Sequence, residues 1–211
     1  MKSVLVTGGT TRLGATIAAR LRAASWRVLV SSHRADATAD IFADLSTAAG
    51  ADRLFDEARR LLNGALPDAL VNNAALFTGD QMRLRAVNVD APIRLMSRMA
   101  ARTTGVGAVV NILDACALRP ETVAREDYLK TKRDLLAATR CAARDFAATL
   151  RVNAVAPGAV LKPTATREKA ARRLLARQAT ADDVAEAVCY LLSAEAVTGV
   201  VLPVDAGVHC L

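Results

Sequence analysis

Short apolar segments alternate with longer amphipathic segments along the whole 211-residue chain, and this alternation is what most restricts its fold. Val4–Val6 and Ala69–Val71 have the length and the branched residues of buried strands. Ala48–Leu62 instead places its apolar residues at helical spacing. Strands that alternate with helices form a parallel sheet covered on both faces. The sequence therefore predicts one α/β domain over residues 1–211, a Rossmann-type, doubly wound parallel sheet of about seven strands.

The other elements follow the same pattern. The predicted strands are Val4–Val6, Trp26–Ser31, Asp40–Ala43, Ala69–Val71, Ala108–Leu113, Leu150–Val155 and Val200–Val204. The predicted helices are Leu13–Ala24, Ala48–Leu62, Met82–Arg102, Asp127–Thr149, a short one around Thr166–Ala176, and Thr180–Leu192. Asp183, three residues after Thr180, gives the last helix a variant of the capping box.

Composition excludes several classes of protein. The chain is 53% hydrophobic, too much for disorder, and no window approaches the ~18 uninterrupted apolar residues of a membrane span. Gly8 comes too early for a secretory signal, so we expect a cytoplasmic protein. The net charge is +7, but the arginines are scattered and only seven residues are aromatic, which argues against a nucleic-acid surface. The charge is compatible with a small anionic ligand.

The cysteines and histidines do not form a metal-binding pattern. Cys116, Cys141, Cys189 and Cys210 have no CxxC spacing, and the chain has only two histidines. We therefore expect no metal site and four reduced thiols.

A glycine-rich turn, Thr7-Gly8-Gly9-Thr10-Thr11-Arg12-Leu13-Gly14, follows the first predicted strand. Gly8 permits a tight turn, and Gly14 permits close approach of helix and sheet. The N-terminus of the next helix then offers free N–H groups and a positive dipole end to a pyrophosphate. The alternative is a plain strand-to-helix turn.

The end of the second predicted strand indicates which dinucleotide fits. NAD-binding turns of this kind usually have an acidic residue there that binds the ribose 2′-hydroxyl. This chain has Ser31-Ser32-His33-Arg34 instead, and Arg34 suits an additional phosphate. The sequence therefore favours NADP(H), unless Arg34 is an ordinary solvated loop residue.

Several motifs together resemble the short-chain dehydrogenases/reductases over essentially the whole chain. They are the glycine-rich turn, Asn72-Asn73-Ala74, the pair Tyr128-x-x-x-Lys132, Pro157-Gly158 and Val204-Asp205-Ala206-Gly207. The resemblance implies that the cofactor is held by Gly8, Thr11, Arg12, Leu13, Gly14, His33, Arg34, Asp44, Leu45, Asn73, Ala74, Ala75, Tyr128, Lys132, Pro157 and Gly158.

The Tyr128–Lys132 pair also has a physical interpretation of its own. Residues four apart lie one turn apart on the same face of a helix. A Lys132 ammonium beside the phenol is expected to lower the pKa of Tyr128 from about 10 toward neutrality. Such a tyrosine passes a proton to a carbonyl oxygen as a hydride reaches its carbon. The resemblance further implies that Lys132 holds the nicotinamide ribose and that Asn88 orients a water behind Lys132, although Asn88 also fits a polar residue inside a helix.

Departures from the general family pattern are similar to pteridine reductases and bacterial dihydromonapterin/dihydrofolate reductases of this fold. Arg12 replaces the middle glycine of the turn, Asp114 occupies the usual catalytic serine position, and Phe77 follows Asn72-Asn73-Ala74-Ala75-Leu76. The tail Val197–His209 is also similar to the bacterial group.

Each departure has a functional and a structural interpretation. Phe77 offers a face on which a flat pterin stacks against the nicotinamide, or it is a core aromatic after a strand. Arg12 reaches the cofactor phosphates or a pterin oxygen, or it caps the turn. Asp114 works with Tyr128 as a proton relay, or it is a polar residue at a strand end. The substrate site is thus expected to contain Arg12, Phe77, Asp114 and Tyr128, and the catalytic set to be Asp114, Tyr128, Lys132 and Asn88.

The sequence leaves three functions open. The leading prediction is an NADPH-dependent reductase of a dihydropterin, dihydrofolate included. The second is a general carbonyl or 3-ketoacyl reductase, and the third is an NADP(H)-binding sensor without catalysis. By resemblance the protein is expected to form a homotetramer, or a dimer, through the helices predicted over Met82–Arg102 and Asp127–Thr149. Segments that shape the substrate pocket in the family are short in this chain.

Overall fold

Seven parallel strands form one sheet in a computed structural model that describes residues 1–34, 38–102, 104–119, 125–160 and 173–211. The strand order is β3-β2-β1-β4-β5-β6-β7, and every neighbouring pair is parallel. The strands are β1 (Ser3–Val6), β2 (Arg27–Ser32), β3 (Ile41–Phe42), β4 (Ala69–Asn72), β5 (Gly107–Ile112), β6 (Leu150–Pro157) and β7 (Val201–Val204). The predicted doubly wound sheet is confirmed.

Six described α-helices cover the sheet. They are α1 (Arg12–Ala23), α2 (Ala48–Leu61), α3 (Gln81–Arg85), α4 (Ala91–Ala100), α5 (Glu126–Asp145) and α6 (Ala181–Ser193). None of these helices has the length and apolar character needed to cross a membrane. No group of three or more metal-ligating side chains occurs in the described part of the chain.

The alternation of side chains along β1 shows how both faces are buried. Val4 and Val6 pack into a core with Ile17 and Leu21 of α1, and α6 contributes to the same core. Leu5 points to the other face and joins a second core that contains Leu54 of α2 and residues of α4 and α5. All residues of β1 are buried, as expected for a central strand of a parallel sheet.

The strand order reverses direction at β1, whose neighbours are β2 and β4. At such a reversal the connections leave to opposite sides, which opens a crevice at the carboxyl ends of the strands. The glycine-rich turn after β1, His33-Arg34 after β2 and Asn73-Ala74 after β4 all follow these carboxyl ends. The topology thus brings together segments that are far apart in sequence.

Three element predictions need correction. The predicted helix Met82–Arg102 is interrupted by a π-helical turn at Ala86–Asp90. The helix predicted over Asp127–Thr149 ends at Asp145, and the chain turns before β6. Of the helix expected around Thr166–Ala176, residues 173–176 are not helical, with bends at 174–176, and residues 166–172 lie outside the described residues. The capping box of α6 is confirmed: the Thr180 Oγ1 accepts from the Asp183 N–H at 3.3 Å, and the Thr180 N–H donates to the Asp183 carboxylate at 2.8 Å.

Candidate active site

Backbone conformation restricts one glycine of the glycine-rich turn, Gly8, and close packing restricts another, Gly14. Gly8 has a φ of +62°, in the left-handed region that favours glycine. A Cβ on Gly14 would lie 2.1 Å from the carbonyl oxygen of Gly8 and 2.6 Å from Nδ2 of Asn73. The Asn73 Nδ2 donates to the carbonyl oxygens of Thr7 and Gly8, both at 3.0 Å. The turn is therefore fixed against the end of β4.

Thr7 is a positioning residue that the sequence did not single out. Its buried Oγ1 accepts hydrogen bonds from the backbone N–H groups of Asn73 and Ala74, both at 3.0 Å. Its own N–H donates to the Val71 carbonyl at 3.0 Å. The only signal in the sequence was its place directly before Gly8, since these bonds join segments 66 and 67 residues apart.

The start of α1 fits an anionic group. Thr11, the N-cap residue, makes no side-chain hydrogen bond to the helix in the described structure, so the first N–H groups remain available. Arg12, the first residue of α1, has a φ of +51°, and the side chains of Thr11 and Arg12 are both exposed. Leu13 is half-buried against the core that includes Ile17. A phosphate held here would face the positive end of the helix dipole, at the residue that precedes Leu13.

The ends of β2 and β3 form the next part of the crevice. His33 and Arg34 are exposed beyond the end of β2, as a phosphate-binding pair requires. Asp44 accepts from the Ser46 N–H at 2.9 Å, and this hydrogen bond is the main reason why its pKa is lowered. Leu45 is buried. A cavity of about 410 Å³ lies here, lined by His33, Phe42, Ala43, Asp44, Thr47, Ala49, Gly50 and Arg53. Arg53 is a lining cation that sequence reasoning missed.

Tyr128 and Lys132 lie in the first turns of α5 as predicted, but their relation differs from the expectation. Burial, followed by the negative charge of Asp114, raises the pKa of Tyr128. The Lys132 Nζ donates to the Ile112 carbonyl at 2.9 Å and lies 5.7 Å from the centre of the Tyr128 ring. Complete burial lowers the pKa of Lys132 to about 8. The expected lowering of the Tyr128 pKa by Lys132 is therefore not found in this arrangement, because the burial of the phenol is the dominant effect on that pKa.

Asp114 caps a short 3₁₀ turn and acts electrostatically on its neighbours. One carboxylate oxygen accepts from the Cys116 N–H at 2.8 Å at the start of the turn Ala115–Leu118. Its charge raises the pKa of Tyr128, of Lys132 and of the half-buried Cys116. Burial is the largest cause of the rise for Cys116. Asp114 thus has the structural role that was the alternative, and its relay with Tyr128 stays a prediction.

Asn88 is fully buried in the π-helical turn and its amide is completely engaged. Its Oδ1 accepts from the Leu76 N–H at 2.8 Å, and its Nδ2 donates to the Leu76 carbonyl and to the Thr131 Oγ1, at 2.8 and 3.0 Å. Since Thr131 precedes Lys132, Asn88 joins the loop after β4 to the helix that carries the tyrosine. Its role in orienting a water behind Lys132 remains a prediction, and the buried side chain also matches the alternative of a polar residue inside a helix.

Phe77 lies beside the tyrosine, at the opening of the site. The two ring centres are 4.6 Å apart at an interplanar angle of 49°, and Phe77 is 49% exposed, so it is not a core aromatic. The guanidinium carbon of Arg125 lies 4.8 Å from the centre of the Phe77 ring. Arg125, the N-cap residue of α5, has a φ of +61° and was not predicted. The contact joins residues 48 positions apart, and no local pattern signals it.

The remaining predicted residues also border the crevice. Pro157 ends β6, and the Gly158 N–H donates to the Val204 carbonyl at 3.0 Å. A Cβ on Gly158 would lie 2.8 Å from the Cβ of Asp205, so glycine is required there by packing. Ala74 is half-buried and Ala75 exposed in the loop that ends at Phe77. Every predicted site residue thus lies on the carboxyl-end side of the sheet.

Comparisons with known proteins agree with this geometry. The sequence profile of the family described as enoyl-(acyl carrier protein) reductase matches residues 9–209. Protein FixR of Bradyrhizobium diazoefficiens is 30% identical, over 99% of this chain and 87% of that protein. The 3-oxoacyl-[acyl-carrier-protein] reductase FabG of Aquifex aeolicus is 29% identical, over 98% of this chain and 96% of that protein.

Two solved structures are similar over nearly the whole fold. A blue fluorescent protein from a metagenomic library, in complex with NADPH, has a TM-score of 0.89 at 27% identity and covers 98% of this chain and 97% of its own. FolM alternative dihydrofolate reductase 1 from Brucella canis, complexed with NADP, has a TM-score of 0.83 at 26% identity and covers 100% and 95%. With the profile match over nearly all residues, these similarities show that the chain belongs to the short-chain dehydrogenase/reductase family, whose members are oxidoreductases that use a nicotinamide cofactor.

Proposed function

We propose that this protein is an NADPH-dependent reductase that converts a dihydropterin to its tetrahydro form. The observation that carries the proposal is the pair of rings at the opening of the site. Phe77, half-exposed, lies 4.6 Å from Tyr128, so an aromatic face is available beside the proposed proton donor. A flat heteroaromatic substrate gains offset-stacking energy on such a face. The similarity to a dihydrofolate reductase of the same fold supports this substrate class.

The proposed cofactor is NADP(H). The start of α1 leaves N–H groups for a pyrophosphate, and exposed His33 and Arg34 stand where an additional ribose phosphate would lie. The two similar structures hold NADPH and NADP. When bound, the nicotinamide supplies a hydride.

The chain's own residues handle the proton. Because its pKa is raised, Tyr128 keeps its proton at neutral pH and is therefore a donor rather than a phenolate. Asp114 is proposed to relay a proton from solvent: its carboxylate takes up a proton from water and gives it to the Tyr128 phenolate that the transfer leaves. Lys132, held inside the protein by the Ile112 carbonyl, is proposed to bind the nicotinamide ribose. Arg12, at the start of α1, is proposed to contact the cofactor phosphates or a pterin oxygen.

A general carbonyl or 3-ketoacyl reductase is the second candidate. It is favoured by the FabG relative, which matches almost end to end. The same Tyr128 proton donor would serve a ketone, and Phe77 would then line an apolar pocket instead of stacking on a ring. A sensor that binds NADP(H) without turnover is the third candidate. Binding alone does not require the buried phenol of Tyr128, which argues against this candidate.

The decisive assay follows the loss of NADPH absorbance with three groups of substrates: dihydrobiopterin, dihydromonapterin and dihydrofolate; simple ketones; and a 3-ketoacyl thioester. Turnover of a pterin with kcat/KM above that of every ketone is expected. Turnover of ketones alone would replace the proposal with the second candidate, and tight NADPH binding without oxidation would replace it with the third.

The cofactor preference has a separate test. Arg34→Ala is expected to raise the KM for NADPH by about tenfold, the loss of one charge-assisted phosphate contact, and to leave the KM for NADH unchanged. Arg22→Ala, on the exposed side of α1, is the matched control because it removes the same charge without facing the crevice. An equal KM for NADPH in both variants would mean that Arg34 does not bind the additional phosphate.

We further propose a cytoplasmic homotetramer, or a dimer. The helices α4 and α5 are the proposed interface, since alanines at 137, 138, 142, 143, 147 and 148 permit close approach. Ala142 and Ala143 are already buried within the chain, and Ala147 and Ala148 follow the end of α5, so a helical interface would use Ala137 and Ala138. Gel filtration with light scattering distinguishes the monomer, the dimer and the tetramer.

A further inference from the structure

A hydrogen-bonded chain of three side chains lies at the end of the described structure, outside the proposed active site. The Asp205 Oδ2 lies 2.9 Å from the Nδ1 of His209, and the His209 Nε2 lies 3.3 Å from the Sγ of Cys210. The three residues belong to the segment after β7 and none of them has a role in the proposed reduction.

The chemistry of the carboxylate fixes the direction of this chain. An ionised carboxylate only accepts hydrogen bonds, so Nδ1 of a neutral His209 carries the proton and Nε2 is left as an acceptor. The Cys210 thiol then donates to Nε2. A nucleophile next to a base, with the base oriented by a third group, is the arrangement that activates serine and cysteine nucleophiles in unrelated enzymes.

Asp205 is held firmly enough to orient the ring. Its side chain is almost completely buried and also accepts from the backbone N–H groups of Gly207 and His209, at 2.9 and 2.7 Å. Ala206 and Gly207 both have a positive φ, which turns the chain so that His209 returns over the carboxylate. A buried, multiply bonded carboxylate stabilises the imidazolium that forms when His209 takes the thiol proton.

The thiol itself is open to reagents in solution. Cys210 is exposed, whereas Cys116 and Cys189 are half-buried and burial raises the pKa of both. His209 borders a cavity of about 330 Å³ that also contains the ion pair of Arg177 with Asp183, but Cys210 does not line it. Access to the sulfur is therefore from the surface. Of the charged side chains nearby, Arg119 donates to the Leu211 carbonyl at 3.0 Å and Asp205 lies behind the ring.

From this geometry we infer that Cys210 is a modification site, a surface nucleophile activated by His209 and Asp205 that reacts with small disulfides. His209 Nε2 takes the thiol proton, and the Cys210 sulfur attacks one sulfur of the disulfide. A new S–S bond forms to that sulfur, the original S–S bond breaks, and the other half leaves as a thiolate that takes up a proton. The disulfide is reduced by one thiol equivalent as Cys210 is oxidised to a mixed disulfide.

Cys210 lies on a turn that borders the proposed active site. The 3₁₀ turn Val208–Cys210 packs against the 3₁₀ turn Ala115–Leu118, which Asp114 caps.

Cys141 is the matched control that the chain provides. It is the other exposed cysteine, it lies on α5 beside Arg144, and no histidine contacts it in the described structure. Two single variants, Cys141→Ser and Cys210→Ser, each leave one exposed thiol in the otherwise natural protein. The probe is dithiobis(nitrobenzoate), an aromatic disulfide, followed by stopped-flow absorbance near pH 7, where an ordinary thiol with a pKa of about 8.5 is mostly protonated.

Cys210 in the Cys141→Ser variant is expected to react about tenfold faster than Cys141 in the Cys210→Ser variant. A general base in an enclosed site accelerates a reaction roughly hundredfold, and the effect here is smaller because His209 is partly exposed. Adding His209→Gln should bring the rate of Cys210 down to that of Cys141, and Asp205→Asn should give an intermediate rate. The His209→Gln change should not alter the rate of Cys141, which serves as the folding control. Mass spectrometry identifies the modified peptide.

Equal rates for the two thiols in the single variants would overturn the inference, and they do not depend on whether the His209 variant folds. A fast Cys210 whose rate survives His209→Gln would overturn it equally, because exposure and not the relay would then explain the reactivity. Neither result bears on the proposed reductase activity, which is measured separately with NADPH.

Discussion

The two helices that flank the site, α1 and α5, both begin next to an arginine in the left-handed conformation, but their surroundings differ. Arg12, at the start of α1, follows a turn whose glycines are packed against Asn73 and whose carbonyls are held by its amide. Arg125, at the start of α5, lies against the ring of Phe77, which stays half-exposed. A left-handed residue costs roughly 1–2 kcal/mol when it is not glycine, and a cation at a helix N-terminus opposes the dipole.

The difference separates a part of the site that the local sequence indicates from a part that depends on distant contacts alone. The α1 start is indicated by glycine spacing within one short segment, is held in the folded chain by Asn73, and belongs to the proposed cofactor site. The α5 start depends on a partner 48 positions away and faces the proposed substrate. Because each position carries two local energetic penalties, we expect the side chains of Arg12 and Arg125 to contribute to ligand binding.

Tyr128→Phe changes the residue at which the proposed cofactor and substrate regions meet, and we expect it to have the largest effect on activity. Removing the phenolic proton donor should lower kcat by about 10³-fold, within the range of general acid catalysis, with little change in the KM for NADPH. Tyr190→Phe is the control, because Tyr190 is the only other tyrosine and is exposed on α6. Steady-state kinetics with the best substrate checks both. A Tyr128→Phe enzyme that keeps its kcat would refute the assignment of the donor.

Gly14→Ala is expected to disrupt the glycine-rich turn of the proposed cofactor site and to leave the substrate side unchanged. The added Cβ would lie 2.1 Å from the Gly8 carbonyl oxygen, so the turn has to move, and we expect a loss of about 3 kcal/mol in the free energy of unfolding together with weaker NADPH binding. Gly64→Ala is the comparison: its Cβ would meet nothing within 4 Å, so only its positive φ costs energy, about 1 kcal/mol. Urea titrations and NADPH fluorescence measure the two quantities. Similar losses in both variants would contradict the close packing of the turn.

The contrast between local pattern and distant contacts also explains which features the sequence predicted and which it did not. The seven strands, the turn from Gly8 to Gly14 and the capping box of α6 depend on periodicity and on residues a few positions apart, and all were predicted. The roles of Thr7 and Arg125 depend on contacts made only after the chain has folded. The π-helical turn at Ala86–Asp90 was missed for a related reason, since the Asn88 amide is satisfied by Leu76 and Thr131 rather than by its own helix. The pKa of Tyr128 was predicted in the wrong direction because the spacing of Lys132 says nothing about burial.

Lys132→Met sharpens the comparison at a residue buried between the two regions. Below the folded pKa of about 8, the folded and the unfolded chains both carry the proton, and the cost of burying the charge is fully present. As the pH rises from there to the ordinary value of 10.5, the folded chain loses its proton first, so the natural protein becomes more stable relative to its unfolded state.

The free energy of unfolding of the Lys132→Met variant should therefore exceed that of the natural protein by about 2 kcal/mol near pH 7. Removing the buried charge contributes roughly 3 kcal/mol, and losing the hydrogen bond to Ile112 costs about 1 kcal/mol. This advantage should shrink as the pH approaches 10.5. Guanidinium titrations at several pH values measure the difference. An advantage that does not change with pH would show that Lys132 is not buried as an ammonium.

The paired replacements Arg12→Gly and Arg125→Gly compare the two helix starts directly, with the smallest expected effects. Glycine relieves the left-handed conformation at both, so Arg12→Gly is expected to raise the free energy of unfolding by about 1 kcal/mol. Arg125→Gly also loses its contact with the Phe77 ring, worth about 0.5–1 kcal/mol, and should leave stability nearly unchanged. Ser25→Gly is the control: Ser25 is an exposed left-handed residue after α1, so its replacement should raise stability and leave the kinetics unchanged.

The Michaelis constants compare the two helix starts a second time. Arg12→Gly should raise the KM for NADPH about tenfold because a charged contact is lost, whereas Arg125→Gly should raise only the KM of the second substrate. If both variants raised the same KM, the two helix starts would bind one ligand. The distinction between a cofactor region that the local sequence indicates and a substrate region built from distant contacts would then be wrong.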